Sequence, residues 1–193
     1  MTTVAQVQLT LPDWVHTRVD LARAYPGDDA KVALAIELSR LNVEAGSGGP
    51  FGAVVFDAGN DRVVSVGVNR VLPQNCSVAH AETMAYMLAQ QRLQRARLNR
   101  DLDDNVVGRF VLATSAQPCC QCYGATVWAG IDRLLIGARS QDVEALTPFD
   151  EGPLPADWVG ELQRRGIEVV RDLHRDAACE VLRAYGAADA GRY

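Results

Sequence analysis

The chain has 193 residues, 48% of them hydrophobic and 22% charged, with a formal net charge of −5 at pH 7. This composition suits one soluble domain with a substantial core, and the acidic balance argues against a nucleic-acid partner, which usually needs a basic face. We expect neither a membrane span nor a secretory leader, because the sequence contains no apolar run of about 18 residues and no charged-then-apolar N-terminus.

The apolar pattern predicts alternating helices and strands. Residues 29–45 predict a helix that ends at the turn-forming residues 46–50. Segments 51–56 and 63–68 are rich in β-branched residues and are separated by 57–61, which indicates an antiparallel hairpin. The following predicted elements are a helix at 78–98, a strand at 110–114, a helix at 119–129, a strand at 133–137, a helix at 156–165, a strand at 167–170 and a helix at 175–185. This alternation favours an α/β fold whose sheet is covered on both faces and includes parallel pairs.

The first 28 residues form a predicted N-terminal extension ahead of a domain at 29–193. Leu9, Leu11, Trp14 and Val15 indicate a segment that packs on the domain or on a neighbouring subunit. The five cysteines, three of them clustered, indicate reduced thiols and a cytoplasmic protein.

Two short motifs forty residues apart predict a catalytic zinc site. They are His80-Ala81-Glu82 and Pro118-Cys119-Cys120-Gln121-Cys122. One imidazole and two thiolates make three ligands, and catalytic zinc sites use three protein ligands where closed structural sites use four. Cys119 and Cys122 lie one turn apart at a helix start, which favours thiolates. A Cys120/Cys122 pair is formally possible, but residues i and i+2 diverge on a helix.

Glu82 is the candidate general acid and base. It lies two residues after His80 and is not needed as a ligand, and we expect burial to raise its pKa. His-x-Glu followed by Pro-Cys-x-x-Cys is the signature of zinc deaminases that act on nucleobases. A redox pair and a purely structural zinc module are the alternatives, and a structural site has no use for a carboxylate beside its metal.

The sequence resembles the cytidine and deoxycytidylate deaminase superfamily, and within it the bacterial guanine deaminases of that fold. Besides the two zinc motifs, the resemblance includes 49–54, 69–71 and 124–128. It also includes 149–153, in a long predicted loop after the fourth strand, and a terminal tyrosine. One departure is Gln117, where the family commonly has glutamate; another is that the loop 141–153 is about one residue longer than in close relatives.

The resemblance implies a three-layer αβα sandwich with a mixed five-stranded sheet, and Zn²⁺ bound by His80, Cys119 and Cys122 with Glu82 as proton shuttle. It also implies a set of substrate-contacting residues. Asn69 would lie on the purine edge, Phe51 and Trp128 around the ring, and the Ala81 backbone at the attacked edge. Glu151 would be a second acidic group, and Tyr193 would belong to a C-terminal segment, 171–193, that closes the pocket. In the family that segment often closes the pocket of a neighbouring subunit, so a swapped homodimer is expected.

The implied reaction is hydrolytic deamination of guanine to xanthine and ammonia, with ammeline as a second substrate by shape. The partner is then a small nucleobase. Guanosine, cytosine and cytidine are alternative substrates for the same chemistry. Deamination of tRNA adenosine is disfavoured, because the acidic chain lacks an evident phosphate-binding surface.

Overall fold

The computed structural model describes residues 6–188, and within that range five strands form one sheet. The strands are β1 (Gly52–Asp57), β2 (Arg62–Val68), β3 (Phe110–Ala116), β4 (Arg133–Ala138) and β5 (Glu168–Val170), in the order β2-β1-β3-β4-β5. Strand β1 pairs antiparallel with β2 and β3, whereas the β3–β4 and β4–β5 pairs are parallel. The predicted hairpin and mixed sheet are therefore confirmed.

Eight helices are found in residues 6–188. They are α1 (Val15–Arg18), α2 (Gly27–Glu44), α3 (Val71–Gln74), α4 (Ala81–Leu93), α5 (Cys120–Ala129), α6 (Ser140–Leu146), α7 (Trp158–Arg164) and α8 (Arg175–Ala187). The sequence pattern did not predict the short helices α1, α3 and α6. The predicted long loop after β4 thus contains a helix. The predicted helix 78–98 is also shorter, because Gln94 has a left-handed backbone with φ 54° that ends α4.

Side chains of the sheet alternate between two apolar clusters. On one face, Val54 and Phe56 pack with α2 and α8; on the other, Ala53 and Val55 pack with α4, α5 and α7. Successive residues of a strand point to opposite faces, so a sheet with two apolar faces needs helices on both. The result is the expected three-layer arrangement, with the sheet in the middle.

Helix α4 lies unusually close to strand β2. A Cβ atom built on Gly67 would be 1.9 Å from the Ala81 carbonyl oxygen and 2.6 Å from the Ala85 nitrogen. Only glycine permits this approach. The contact fixes the first turn of α4, which carries the first zinc motif.

The N-terminal segment packs on the domain. Val15 is buried, and Leu11 and Trp14 pack against the same cluster as α2. Thr10 exchanges backbone and side-chain hydrogen bonds with Gln74 of α3. Within the described range, no helix combines the length and the apolar character needed to cross a bilayer.

Candidate active site

Two helix N-termini bring the zinc motifs together. His80 immediately precedes α4 and Cys119 immediately precedes α5, and both have extended backbones. The His80 Nδ1 atom is 3.4 Å from Cys119 Sγ and 3.6 Å from Cys122 Sγ. These three donor atoms all lie within 4.8 Å of one another. The folded chain thus gathers one imidazole and two thiols from segments that are distant in sequence.

This donor set fits a tetrahedral zinc ion. Zn–N distances near 2.0 Å and Zn–S distances near 2.3 Å place a nitrogen and a sulfur ligand about 3.5 Å apart in tetrahedral geometry. The two observed nitrogen–sulfur distances, 3.4 and 3.6 Å, match this separation. Imidazole and thiolate are also ligand types that zinc prefers. His80, Cys119 and Cys122 are therefore the residues that would hold it.

Cys120 lies outside this group. It is exposed, and its Sγ would be 2.5 Å from a Cβ atom on Gly152, in the loop that follows α6. The structure places Cys119, and not Cys120, beside His80. The geometry therefore does not support the alternative in which Cys120 and Cys122 are the two cysteine ligands.

The two thiols differ in their preference for the ionised form. A hydrogen bond from Cys122, aided by His80, lowers the pKa of Cys119 to about 4. The same hydrogen bond and burial raise the pKa of Cys122 well above its usual range. For His80, desolvation opposes the charged form, yet the hydrogen bond and charge of Cys119 leave its pKa raised. The protein alone favours the thiolate form of Cys119 but not of Cys122. A bound dication would stabilise both thiolates.

Glu82 lies beside the three donors and is 7% exposed. The Thr114 hydroxyl donates to its Oε1 at 3.3 Å, and Cys122 Sγ donates to its Oε2 at 3.3 Å. Burial raises the pKa of Glu82, and the nearby charge of Cys119 raises it further. A carboxyl whose pKa is raised is a stronger base than an ordinary carboxylate, and its place next to the donor set suits it to accept a proton and return it.

A small cavity opens in front of this group. It is lined by Phe51, Asn69, His80, Glu82, Gln117, Cys119, Asp150 and Glu151. Six of these are residues that the sequence indicated for metal, catalysis or substrate. Ala81, also indicated, is fully buried between His80 and Glu82. Gln117 and Asp150 were not predicted as site residues, although each adjoins a recognised motif.

Asn69 enters the cavity from the end of β2 and is 1% exposed. Its Oδ1 accepts from the backbone N–H groups of Gly49 at 3.4 Å and Val71 at 3.3 Å. Its backbone N–H donates to the Phe51 carbonyl at 3.1 Å, which ties two cavity residues together.

The loop after α6 supplies the opposite wall. The Phe51 ring packs on Phe149 with centroids 5.5 Å apart, and Phe149 stacks on Tyr185 of α8 at the same separation. The Glu151 carbonyl accepts from the Cys120 N–H at 2.9 Å, which ties this loop to the start of α5. Burial raises the pKa of Glu151 to about 9, and neighbouring negative groups add to the effect.

Trp128 is the predicted substrate residue that the structure does not bring to the cavity. It is 74% exposed, whereas Cys122 and Thr126 of the same helix are buried. Trp128 follows Cys122 by six residues. At about 100° per residue, its side chain lies about 120° around the axis of α5 from that of Cys122. Tyr193, which was also predicted as a substrate contact, lies outside the described residues.

Comparison with known proteins agrees with this geometry. The model of the cytidine and deoxycytidylate deaminase zinc-binding region matches residues 27–138. The chain belongs to this family. The deaminase is 32% identical to a probable cytosine deaminase of Schizosaccharomyces pombe, over 86% of this chain and 94% of the relative. It is 36% identical to the guanine deaminase of Bacillus subtilis, over 61% of this chain and 67% of that one.

Solved structures resemble the deaminase over almost its whole length. A structure of the guanine deaminase from Nitrosomonas europaea is 40% identical and covers 97% of this chain and 100% of its own, with a TM-score of 0.88. A structure of the protein NE0047 in complex with 2,6-diaminopurine is 41% identical and covers 96% of this chain and 95% of its own, with a TM-score of 0.86. The predicted family and fold class are thereby confirmed.

Proposed function

We propose that this deaminase hydrolyses the amino group of guanine to give xanthine and ammonia. The observation that carries the proposal is the buried Glu82 beside the His80, Cys119 and Cys122 donors, at a cavity that Asn69 and Glu151 also line. The choice of a purine is supported by relatives, including the Nitrosomonas guanine deaminase and a variant of NE0047 in complex with 8-azaguanine, which is 40% identical to this chain.

The metal is proposed to be zinc, held by His80, Cys119 and Cys122. When bound, zinc acts as a Lewis acid that makes water acidic enough to attack at neutral pH. Glu82 takes the proton that the water loses as the new C–O bond forms at C2 of guanine. It returns this proton to the ring nitrogen. Glu82 then takes the second proton from the new hydroxyl group at C2 and passes it to the amino group, which leaves as ammonia as the C–N bond breaks and the C2 carbonyl forms. The Thr114 hydroxyl, which donates to Glu82 Oε1, holds the carboxyl group in place through the process.

The purine would lie between the remaining cavity residues. Asn69 would donate to an acceptor on the purine edge, the Ala81 backbone would face the attacked edge, and the Phe51 ring would pack on the base. Glu151 would contact guanine and assist a proton transfer. Its raised pKa of about 9 keeps it protonated at neutral pH, so it can donate a hydrogen bond.

We also propose that the enzyme is a cytoplasmic homodimer in which segment 171–193 closes the pocket, with Tyr193 at its end. All five cysteines are free thiols, as a reducing compartment requires. Val78, Met87 and Trp128 form an exposed apolar strip on the α4 and α5 side, which a second copy would cover. Light scattering after size-exclusion chromatography measures the oligomeric state, and a monomer would contradict this part.

Cytosine is the second candidate substrate, because the Schizosaccharomyces relative is named a probable cytosine deaminase. Ammonia release from guanine, guanosine, cytosine, cytidine, adenine and ammeline separates the possibilities. We expect the highest kcat/KM for guanine and detectable turnover of ammeline. A preference for cytosine would overturn the guanine assignment and leave the zinc assignment intact.

A further inference from the structure

A chain of hydrogen bonds leads from the N-terminal segment to Asn69. Trp14 Nε1 donates to Ser47 Oγ at 3.0 Å, and Ser47 Oγ donates to Asn42 Oδ1 at 2.8 Å. Asn42 Nδ2 then donates to the Asn69 carbonyl at 3.0 Å and to the Gly49 carbonyl at 2.8 Å. We call this the Trp14–Asn69 chain. None of its first three members lines the cavity.

We propose that Asn42 is a positioning residue for Asn69, and that Ser47 and Trp14 in turn hold Asn42. The inference rests on the proposed function, in which Asn69 contacts the purine. It gives the N-terminal segment a part in substrate binding.

The burial of Asn42 makes its hydrogen bonds decisive. It is fully buried in α2, and a buried amide without partners is strongly unfavourable. Both ends of the amide are engaged, the oxygen by a hydroxyl and the nitrogen by two carbonyls. Rotating the amide by 180° would place its oxygen against the two carbonyl oxygens, so a single orientation is selected.

The backbone around Asn42 is built for close contact. A Cβ atom on Gly48 would be 1.9 Å from the Asn69 carbonyl oxygen and 2.8 Å from Asn42 Nδ2. Any side chain at this position would therefore displace the atoms that the hydrogen bond joins. Glycine allows the loop 46–50 to lie directly on the end of β2.

Asn42 also controls the atoms that orient the Asn69 side chain. The Gly49 carbonyl that it binds also accepts from the Phe51 N–H at 2.8 Å, and the Gly49 N–H donates to Asn69 Oδ1 at 3.4 Å. One buried amide thus fixes the backbone of Asn69 and the peptide that directs its carboxamide. With Oδ1 turned to the loop, Nδ2 is the atom with which Asn69 would donate to a purine.

The test compares Asn42→Asp, Ser47→Ala and Trp14→Phe, with Ser39→Ala as the control. Asn42→Asp keeps an oxygen for Ser47 but removes both donated hydrogen bonds. Trp14→Phe keeps an aromatic ring and removes only the N–H. Ser39 is a buried residue of the same helix whose hydroxyl bonds its own helix at Ile36, so Ser39→Ala reports on the loss of a buried polar group alone.

We expect Asn42→Asp to raise KM for guanine about tenfold, and Ser47→Ala and Trp14→Phe about threefold, since misplaced binding groups weaken binding steeply. In all three, kcat stays within about twofold and bound zinc is unchanged. Ser39→Ala leaves KM unchanged. A merely structural role would lower the unfolding temperature without this division between KM and kcat.

The decisive measurement is a double-mutant cycle with Asn69→Ala. If Asn42 acts through Asn69, Asn42→Asp adds no further rise in KM once Asn69 is alanine. Additive effects, or an unchanged KM in Asn42→Asp, would overturn the positioning role alone. An unchanged KM in Asn69→Ala would overturn the proposed substrate contact and this inference with it. If Asn42→Asp does not fold, the same double-mutant cycle is measured with Ser47→Ala and Trp14→Phe. An unchanged KM in both variants would refute the role of the Trp14–Asn69 chain.

Discussion

Replacing Glu151 by glutamine removes a carboxyl group that folding takes out of water. The residue is 7% exposed, and burial raises its pKa from 4.5 to about 9. Below pH 4.5 the carboxyl is protonated in the folded and unfolded states alike. As the pH rises from 4.5 toward 9, the unfolded chain releases the proton while the folded protein keeps it. The wild type should therefore lose stability relative to Glu151→Gln across this window.

The magnitude follows from the shift. One pKa unit corresponds to 1.36 kcal/mol, so the interval from 4.5 to 7 gives an upper limit of about 3.4 kcal/mol at pH 7. At pH 5 the same linkage gives only about 0.8 kcal/mol. We expect the free energy of unfolding of Glu151→Gln, measured relative to that of the wild type, to increase by about 1 to 3 kcal/mol as the pH rises from 5 to 7.5.

The assay is urea unfolding of metal-free wild type and Glu151→Gln at pH 5.0, 6.0, 7.0 and 7.5. Zinc is removed from both proteins because its charge would offset the negative charge of Cys119, which contributes to the raised pKa of Glu151. Every other titrating group is present in both proteins, so the difference between their unfolding free energies isolates Glu151. Glu180→Gln, which removes an exposed acid on α8, is the matched control for the loss of one carboxyl group. A constant difference across the four pH values would refute the assignment of a buried, protonated carboxyl.

Three further predictions concern the first zinc motif and the packing of α8. Glu82→Gln should lower kcat about 10³-fold while metal analysis shows zinc still bound, and retained turnover would contradict its proton-transfer role. Gly67→Ala should destabilise the protein by about 1 to 3 kcal/mol in thermal unfolding, because its Cβ would meet the Ala81 carbonyl at 1.9 Å; an unchanged melting temperature would show that α4 can move at no cost. A hydrogen bond from Arg175 lowers the pKa of Asp142 to about 2, so this carboxylate stabilises the fold above pH 3.8 and its contribution is lost as the pH falls toward 2. Asp142→Asn should lose about 1 kcal/mol at pH 7, discounted because Arg175 is 37% exposed, and a loss that persists at pH 2 would contradict the ion pair.

Local sequence was enough to predict the strands and the longer helices. The hairpin of β1 and β2 follows from two β-branched runs around a turn, and α2 ends at its glycine-rich loop. The short helix α6 was missed because its seven residues make little local pattern. Because α6 ends at Leu146, the loop that leads to Glu151 begins there and is shorter than the predicted loop 141–153.

The prediction for Trp128 shows a different limit. The sequence places Trp128 on the helix that begins at the second zinc motif, but only the packing of α5 decides which side of this helix faces the cavity. Gln117 was overlooked for a related reason. It follows β3, its backbone N–H donates to the Ala138 carbonyl at 2.8 Å, and its amide donates to Ser140 at 3.2 Å, so its place in the cavity depends on a parallel strand and on α6.

The sequence by itself determined the donor set, since the spacing of His80, Glu82, Cys119 and Cys122 supplies donor types that zinc prefers and a carboxyl beside them. It did so because each motif is local to one helix start. Only the tertiary structure decided how the two helix starts meet, which walls Phe51 and Glu151 form, and how Asn42 reaches Asn69. Those contacts join segments whose separation in sequence carries no distance information, and they exist because the sheet and its packed helices hold them together.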